Sequence, residues 1–226
     1  MKSAPSGNSG PAWSSCTPWS RARSISIKSS CGPAPSASRR TSPRCWRSSR
    51  AFARSEDGTM PIEICFLRHA IAAERGSDWP VDAERPLTES GRRKMIAAAR
   101  GMGRLGLRFE ALLTSPLLRA VQTARIVKKY LPFEGSLETA EELEPSGPLR
   151  ELLRLLKGRR ERSFLLVGHE PALSGWIGEL LRLGPAASVE MKKGALCRIA
   201  LERAEAGAAA ELLALIPPKA LRCCGK

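Results

Sequence analysis

Two histidines occur in the 226-residue chain, and each stands where an apolar run stops. Ile62-Glu63-Ile64-Cys65-Phe66-Leu67 is followed by Arg68 and His69, and Ser163-Phe164-Leu165-Leu166-Val167-Gly168 is followed by His169. A third run, Ala111-Leu112-Leu113-Thr114, leads through Ser115-Pro116-Leu117-Leu118 to Arg119. An imidazole serves as a nucleophile or a hydrogen-bonding group, and a guanidinium is a permanently charged, forked donor suited to anions. If the three runs are parallel neighbours in an open α/β sheet, their carboxyl ends share one rim, where such sheets place ligand sites. That rim is the candidate active site.

The elements that must position these groups can be read in chain order. Residues 62–67 form a first strand, apolar on both faces as a helix-covered parallel strand should be. Residues 71–86 are polar and turn-rich and read as a loop over the rim, with Arg85 at its close. Thr88 is the expected N-cap of a helix to about Arg104, with an inward stripe of Met95, Ala98, Ala99 and Met102. Gly91 in its first turn weakens it slightly, and the Gly101 to Gly106 segment ends it. Residues 109–114 supply a second strand. Ser115-Pro116 opens a further helix, with Pro116 near its first position and Arg119 in its first turn, near the positive end of the helix dipole. An edge strand around Leu137, a short helix marked by Leu149, Leu152, Leu153 and Leu156, and the strand 164–167 follow. His169 then stands in a strand-to-helix turn before Pro171, and residues 195–201 and 209–215 read as a β-hairpin at the sheet edge.

Composition divides the chain. Residues 1–59 hold sixteen serines and ten basic against two acidic residues, with no periodic apolar pattern from which a core could form. They are expected to be a disordered Ser/Arg/Pro-rich extension, read either as an over-extended gene start before Met60, as a transit peptide, or as a solvated basic arm. Residues 60–222 are the expected domain and 223–226 a tail. From Met60 onward there are 27 basic and 20 acidic residues, a net charge of +7. A domain of about 150 residues buries roughly 70% of its unfolded surface, enough for a core. The seven cysteines show neither a CxxC nor a Cys/His metal pattern. Cys65 and Cys197 read as small core residues, and Cys223-Cys224 as an inert pair. Without a secretory signal or a spanning apolar stretch, the expected compartment is the cytoplasm.

Four motifs in order carry a resemblance. Leu67-Arg68-His69-Ala70, Arg85-Pro86-Leu87-Thr88-Glu89-Ser90-Gly91, Ser115-Pro116-Leu117-Leu118-Arg119-Ala120-Val121-Gln122-Thr123-Ala124 and Gly168-His169-Glu170-Pro171 resemble the histidine phosphatase superfamily, and within it the SixA-type phosphohistidine phosphatases. The resemblance implies an α/β fold: a three-layer α/β/α sandwich with a mostly parallel, phosphoglycerate-mutase-like central sheet. It also implies hydrolysis through a phosphohistidine intermediate, with His69 as nucleophile, Arg68, Arg119 and His169 as the phosphate bracket, and Arg85 as an additional phosphate or substrate contact. Neither a metal nor a cofactor is implied.

The chemistry suits these residue types. A transferring phosphoryl group needs fixed cations around its equatorial oxygens, and a neutral imidazole flanked by guanidiniums stays unprotonated and nucleophilic. A lone histidine at a strand end is ordinarily structural; two histidines and Arg119 on one rim favour a site. Arg85 reads equally well as a surface arginine. For the proton donor Glu170 is the candidate, Glu142 and Glu144 lie where mutase-like members would place theirs, and all three also read as solvated carboxylates. A site without a strong acid suits the labile P–N bond of phosphohistidine better than a stable ester. The short connections leave no room for a large cap domain, so the expected partner is a phosphohistidine-bearing protein. The segment after His69 lacks the longer motif of phosphoglycerate mutases. The alternatives are a small-molecule phosphomonoesterase and, from another class, a basic nucleic-acid-binding protein, against which stands the lack of a groove-reading module.

Overall fold

The computed structural model describes residues 60–133 and 135–225. The extension expected over 1–59 lies outside the described residues. The chain runs β1 (Ile62–Arg68), α1 (Glu89–Arg104), β2 (Ala111–Thr114), α2 (Leu118–Tyr130), β3 (Leu137–Thr139), α3 (Leu149–Lys157), β4 (Ser163–Gly168), α4 (Ala172–Leu180), β5 (Leu196–Leu201), β6 (Ala210–Ile216) and α5 (Pro218–Cys224). Single 3-10 turns lie at Asp82–Glu84 and Glu141–Leu143.

The strands form one sheet in the order β3-β2-β4-β1-β5-β6. β3, β2, β4 and β1 are mutually parallel, and β5 and β6 complete the sheet as an antiparallel hairpin. Side-chain alternation divides the core in two. Ile62, Ile64 and Phe66 of β1 join Phe164 and Leu166 of β4 against the leucines of α3 and Leu173, Trp176 and Ile177 of α4. Cys65 and Leu67 join Leu165 and Val167 against Met95, Ala99 and Met102 of α1, Ala120 and Ala124 of α2 and Leu221 of α5. Helices therefore cover both faces of a mostly parallel sheet, the three-layer α/β/α sandwich that the motifs implied.

Close backbone approaches account for two glycines of α1. Thr88 caps the helix, its Oγ1 accepting from the Gly91 N–H at 3.0 Å. A Cβ on Gly91 would lie 2.0 Å from the Ile71 carbonyl oxygen, so only glycine lets the helix start against the rim loop. A Cβ on Gly101 would lie 1.9 Å from the Leu221 carbonyl oxygen of α5. The helix ends at Arg104, within the Gly101 to Gly106 segment as expected, and Gly101 itself makes room for the last helix.

Other boundaries also move. The second strand begins at Ala111 rather than 109. Pro116 is not at the first helical position: Leu117 is the N-cap and α2 starts at Leu118, which keeps Arg119 in the first turn. At the other end α5 crosses position 222, where the domain was expected to stop, and Leu221 is fully buried against α1. The first strand is not wholly apolar: Glu63 accepts from Arg198 Nε at 2.7 Å, a pairing across to β5. Among the described residues no helix is long and apolar enough to cross a membrane.

Candidate active site

The two histidines meet because of strand register. β1 and β4 are adjacent and parallel with Arg68 opposite Gly168, so His69 and His169 are the next residues on each chain. The His69 N–H still donates to the Gly168 carbonyl at 3.1 Å, carrying the ladder one step past the strands. Their ring centroids are 4.9 Å apart, the ordinary spacing of neighbouring strands. Both rings are buried.

Their chemical states follow from that burial. His69 is pushed down to about 3, chiefly by burial and further by the charges of Arg119, Arg68 and Lys193. Its hydrogen bond with the Ala70 carbonyl opposes the shift without reversing it. His169 is pushed down to about 2, again mainly by burial, then by His69 and Arg119. The guanidiniums, expected to keep the nucleophilic imidazole neutral, are thus secondary to desolvation. His69 Nδ1 lies 2.7 Å from the Ala70 carbonyl oxygen. Because a carbonyl only accepts, Nδ1 carries the proton of the neutral ring and Nε2 keeps its lone pair. Both nitrogens of His169 are buried with no hydrogen-bond partner.

Each arginine beside them is held at one end. Arg68 Nη1 donates to the Met191 carbonyl at 2.7 Å, while its Nε is buried and unpaired. Arg119, at the start of α2, donates from Nη1 to the Asp82 carbonyl at 2.8 Å and places Nη2 3.0 Å from Asp82 Oδ2. Its Nε is likewise buried and unpaired. The charges of both arginines act on both imidazoles, so the structure brings His69, His169, Arg68 and Arg119 together.

The loop between β1 and α1 completes the cluster. Its neck is pinned by α2: Thr123 Oγ1 accepts from Ala70 N at 3.1 Å, and Gln122 Oε1 accepts from Leu87 N at 2.7 Å. Ala73 N donates to the Pro86 carbonyl at 2.8 Å across the same neck. Asp82, at the far part of the loop, gathers three cations. Its Oδ1 accepts from Arg75 Nε and Arg85 Nε, each at 2.8 Å, while Oδ2 faces Arg119. Burial alone would raise the Asp82 carboxyl, but the hydrogen bonds and charges of Arg75, Arg119 and Arg85 outweigh it and hold it at about 2. Arg85 is no free surface arginine: its side chain is 14% exposed and donates from Nη1 to the Ala73 carbonyl at 2.7 Å. It joins the site through Asp82.

The carboxylates proposed as proton donors divide. Glu170, next to His169, has one buried oxygen, Oε1, with no hydrogen-bond partner. Glu142 and Glu144 are half-buried on either side of Leu143, whose side chain enters the core. Three participants escaped the reading of the sequence. Met191 acts through its backbone, which residue type does not reveal; Lys193 is distant in sequence; Asp82 lay among several loop acids. The spacing of Asp82 three residues before Arg85 was the one available signal. Among the described residues no three His, Cys, Asp or Glu side chains gather as a metal-binding group.

Comparison with known proteins places the chain in a family. A profile of the histidine phosphatase superfamily (branch 1) matches residues 64–144, which include the first histidine motif and Arg119. An uncharacterized protein of Picosynechococcus is 35% identical over 169 residues, covering 70% of this chain and 98% of the relative. Phosphohistidine phosphatase SixA of Escherichia coli is 30% identical over 122 residues, covering 53% of this chain and 74% of the relative. The structure of protein histidine phosphatase SixA complexed with tungstate superposes with a TM-score of 0.60 at 25% identity, covering 71% of this chain and 99% of that one. A mycobacterial glucosyl-3-phosphoglycerate phosphatase shares the fold, with a TM-score of 0.51 at 14% identity over 70% of this chain and 100% of that one. By its matched profile, its relatives and its sheet, the chain belongs to the histidine phosphatase superfamily, as a SixA-like phosphatase.

Proposed function

We propose that the domain beginning near Met60 is a phosphohistidine phosphatase that removes phosphoryl groups from histidine on other proteins, acting in the cytoplasm. The observation that carries this reading is the state of His69. Its Nδ1 proton is committed to the Ala70 carbonyl, so the Nε2 lone pair is available beside two arginines whose Nε groups lack partners. In the first step Nε2 attacks phosphorus and the bond from phosphorus to the substrate imidazole breaks. A phosphoimidazole already protonated on its other nitrogen leaves as neutral imidazole and needs no further acid. Water then attacks phosphorus on His69, phosphate departs, and the imidazole is restored. Arg68, Arg119 and His169 bracket the equatorial oxygens, where charge is greatest in transfer. Neither step requires a metal.

The names of the relatives support the substrate class, since SixA of Escherichia coli is a phosphohistidine phosphatase. A second reading, hydrolysis of a small phosphoester, is favoured by one observation. Glu170 Oε1 is buried and unpaired next to His169, where a carboxylic acid would serve a poorer leaving group. The deciding experiment measures phosphate release, with EDTA present, from a histidine-phosphorylated protein and from a panel of small phosphoesters, using wild type and His69→Ala. Faster turnover of the phosphoprotein, abolished by the substitution, is expected. Faster turnover of one ester would transfer the assignment to the second reading, and full activity in His69→Ala would overturn the mechanism.

A further inference from the structure

Arg68 and Arg119 are held in the same way, but by different kinds of anchor. The Met191 carbonyl takes one terminal nitrogen of Arg68. Arg119 has no such independent support: both of its terminal nitrogens are engaged by a single residue, Asp82, through its carbonyl at 2.8 Å and its Oδ2 at 3.0 Å. Those contacts occupy the end of the guanidinium. What remains is the side edge, formed by Nε and the second proton of Nη2, and its Nε is buried with no partner. A guanidinium offers that edge to two oxygens of one tetrahedral anion as readily as it offers its end.

We infer that Asp82 is the positioning residue of the phosphate bracket, taking the end of the Arg119 guanidinium so that its Nε edge is presented to the phosphoryl group. The inference rests on the reading that Arg119 holds that group. Asp82 does not touch the substrate; it acts through Arg119. A long side chain left to itself spreads over several rotamers, whereas one held at two points is already placed when the anion arrives. Asp82 is itself fixed by Arg85, whose other terminus is tied to the Ala73 carbonyl near the neck of the loop. Arg75 adds little, because its side chain is 78% exposed.

The same contacts would also suit an opposite role, that of an internal carboxylate competing with phosphate for Arg119. The two roles differ in sign. A positioning residue raises turnover, and its removal lowers kcat; a competitor masks the site, and its removal tightens phosphate binding while kcat is maintained or rises.

The test compares wild type with Asp82→Ala, Asp82→Asn, Arg119→Ala, Arg75→Ala and the double variant Asp82→Ala/Arg119→Ala. Steady-state kinetics on a phosphohistidine-bearing peptide and on p-nitrophenyl phosphate are combined with calorimetric titration of inorganic phosphate. The expected result is a fall in kcat of about 10- to 100-fold for Asp82→Ala, the scale of a misplaced catalytic contact. A smaller fall is expected for Asp82→Asn, which keeps one acceptor, and less than about 3-fold for Arg75→Ala. In the Arg119→Ala background the Asp82 substitution should cost less than about 3-fold further, since residues acting as one unit are not additive. Wild-type kcat in Asp82→Ala, tighter phosphate binding with kcat maintained, or fully additive losses would each overturn the inference while leaving the bracket intact. Wild-type activity in Arg119→Ala would overturn the bracket reading and this inference with it. Should Asp82→Ala fail to fold, Asp82→Asn and its double variant with Arg119→Ala carry the same comparison.

Discussion

The imidazole of His69 donates from Nδ1 to the carbonyl oxygen of Ala70 at 2.7 Å. A backbone acceptor one residue away thereby decides which nitrogen keeps its lone pair. If Nε2 is the attacking atom, His69→Ala should lower phosphatase activity by at least about 10³-fold, as loss of a covalent nucleophile does. Rapidly quenched wild-type enzyme should carry a phosphoryl adduct on His69, located by mass spectrometry. An adduct on another residue would refute the assignment.

Buried neutral histidines make stability depend on pH. His69 and His169 lie at about 3 and about 2 in the folded protein against an ordinary 6.5. Between those values the unfolded chain binds more protons than the folded one, so acid favours unfolding. The melting temperature should therefore fall as pH is lowered from about 6.5 toward 3, and His169→Phe should show a shallower dependence. For the same reason the acid limb of kcat/KM due to His69 should lie near pH 3, below the ordinary imidazole range. A wild-type limb at about 6.5 that coincides with the titration of His69 followed by NMR would contradict the burial argument.

Arg68 cannot be replaced by the other cation. Its Nη1 is tied to the Met191 carbonyl while its Nε is left unpaired. A lysine ammonium is one point charge and cannot hold the carbonyl and present a second donor in the same plane. Arg68→Lys should lower kcat/KM by about 10²-fold, measured by steady-state kinetics at fixed ionic strength.

Glu170 separates the two substrate classes. Glu170→Gln removes the acid but keeps the shape. If Glu170 donates a proton to poor leaving groups, activity on alkyl phosphates should fall by about 10²-fold while activity on phosphohistidine changes by less than about 3-fold. Equal losses on both substrates would show a structural role instead.

Two glycines in one helix should behave differently. Gly101→Ala drives a methyl group into the Leu221 backbone, and Gly91→Ala into the Ile71 backbone. Each should cost about 1–3 kcal/mol in chemical denaturation, as overpacking does. Only Gly91→Ala should also lower activity, because Ile71 begins the loop that carries Asp82 and Arg85.

Much of the fold could be read from local pattern. The runs at Ile62, Ala111 and Ser163 are strands because they are short, dominated by apolar residues and bounded by polar turns, and Thr88 begins a helix because its side chain satisfies an N–H of the first turn. Boundaries were less legible where the cause is tertiary. Gly91 reads as a helix weakener and Gly101 as the opening of a helix end, yet each is demanded by a backbone from another segment. The last helix escaped notice because Leu221 is its one buried residue, too little for a periodic signal.

The sequence by itself determined which chemical groups this protein brings to the rim of its sheet: two histidines, each placed immediately after a buried strand, and arginines just before the first and at a helix start. Their types and their positions after apolar runs are local properties, and local properties are written in order along a chain. The tertiary structure alone decided how those groups are held. The register of β1 against β4 sets the rings 4.9 Å apart. Burial makes them neutral. The Met191 carbonyl, 123 residues beyond Arg68, and Asp82, 37 residues before Arg119, take the ends of the guanidiniums. Such contacts depend on distances in space between segments remote in sequence, and one of them uses a backbone atom common to every residue, so no residue type announces them.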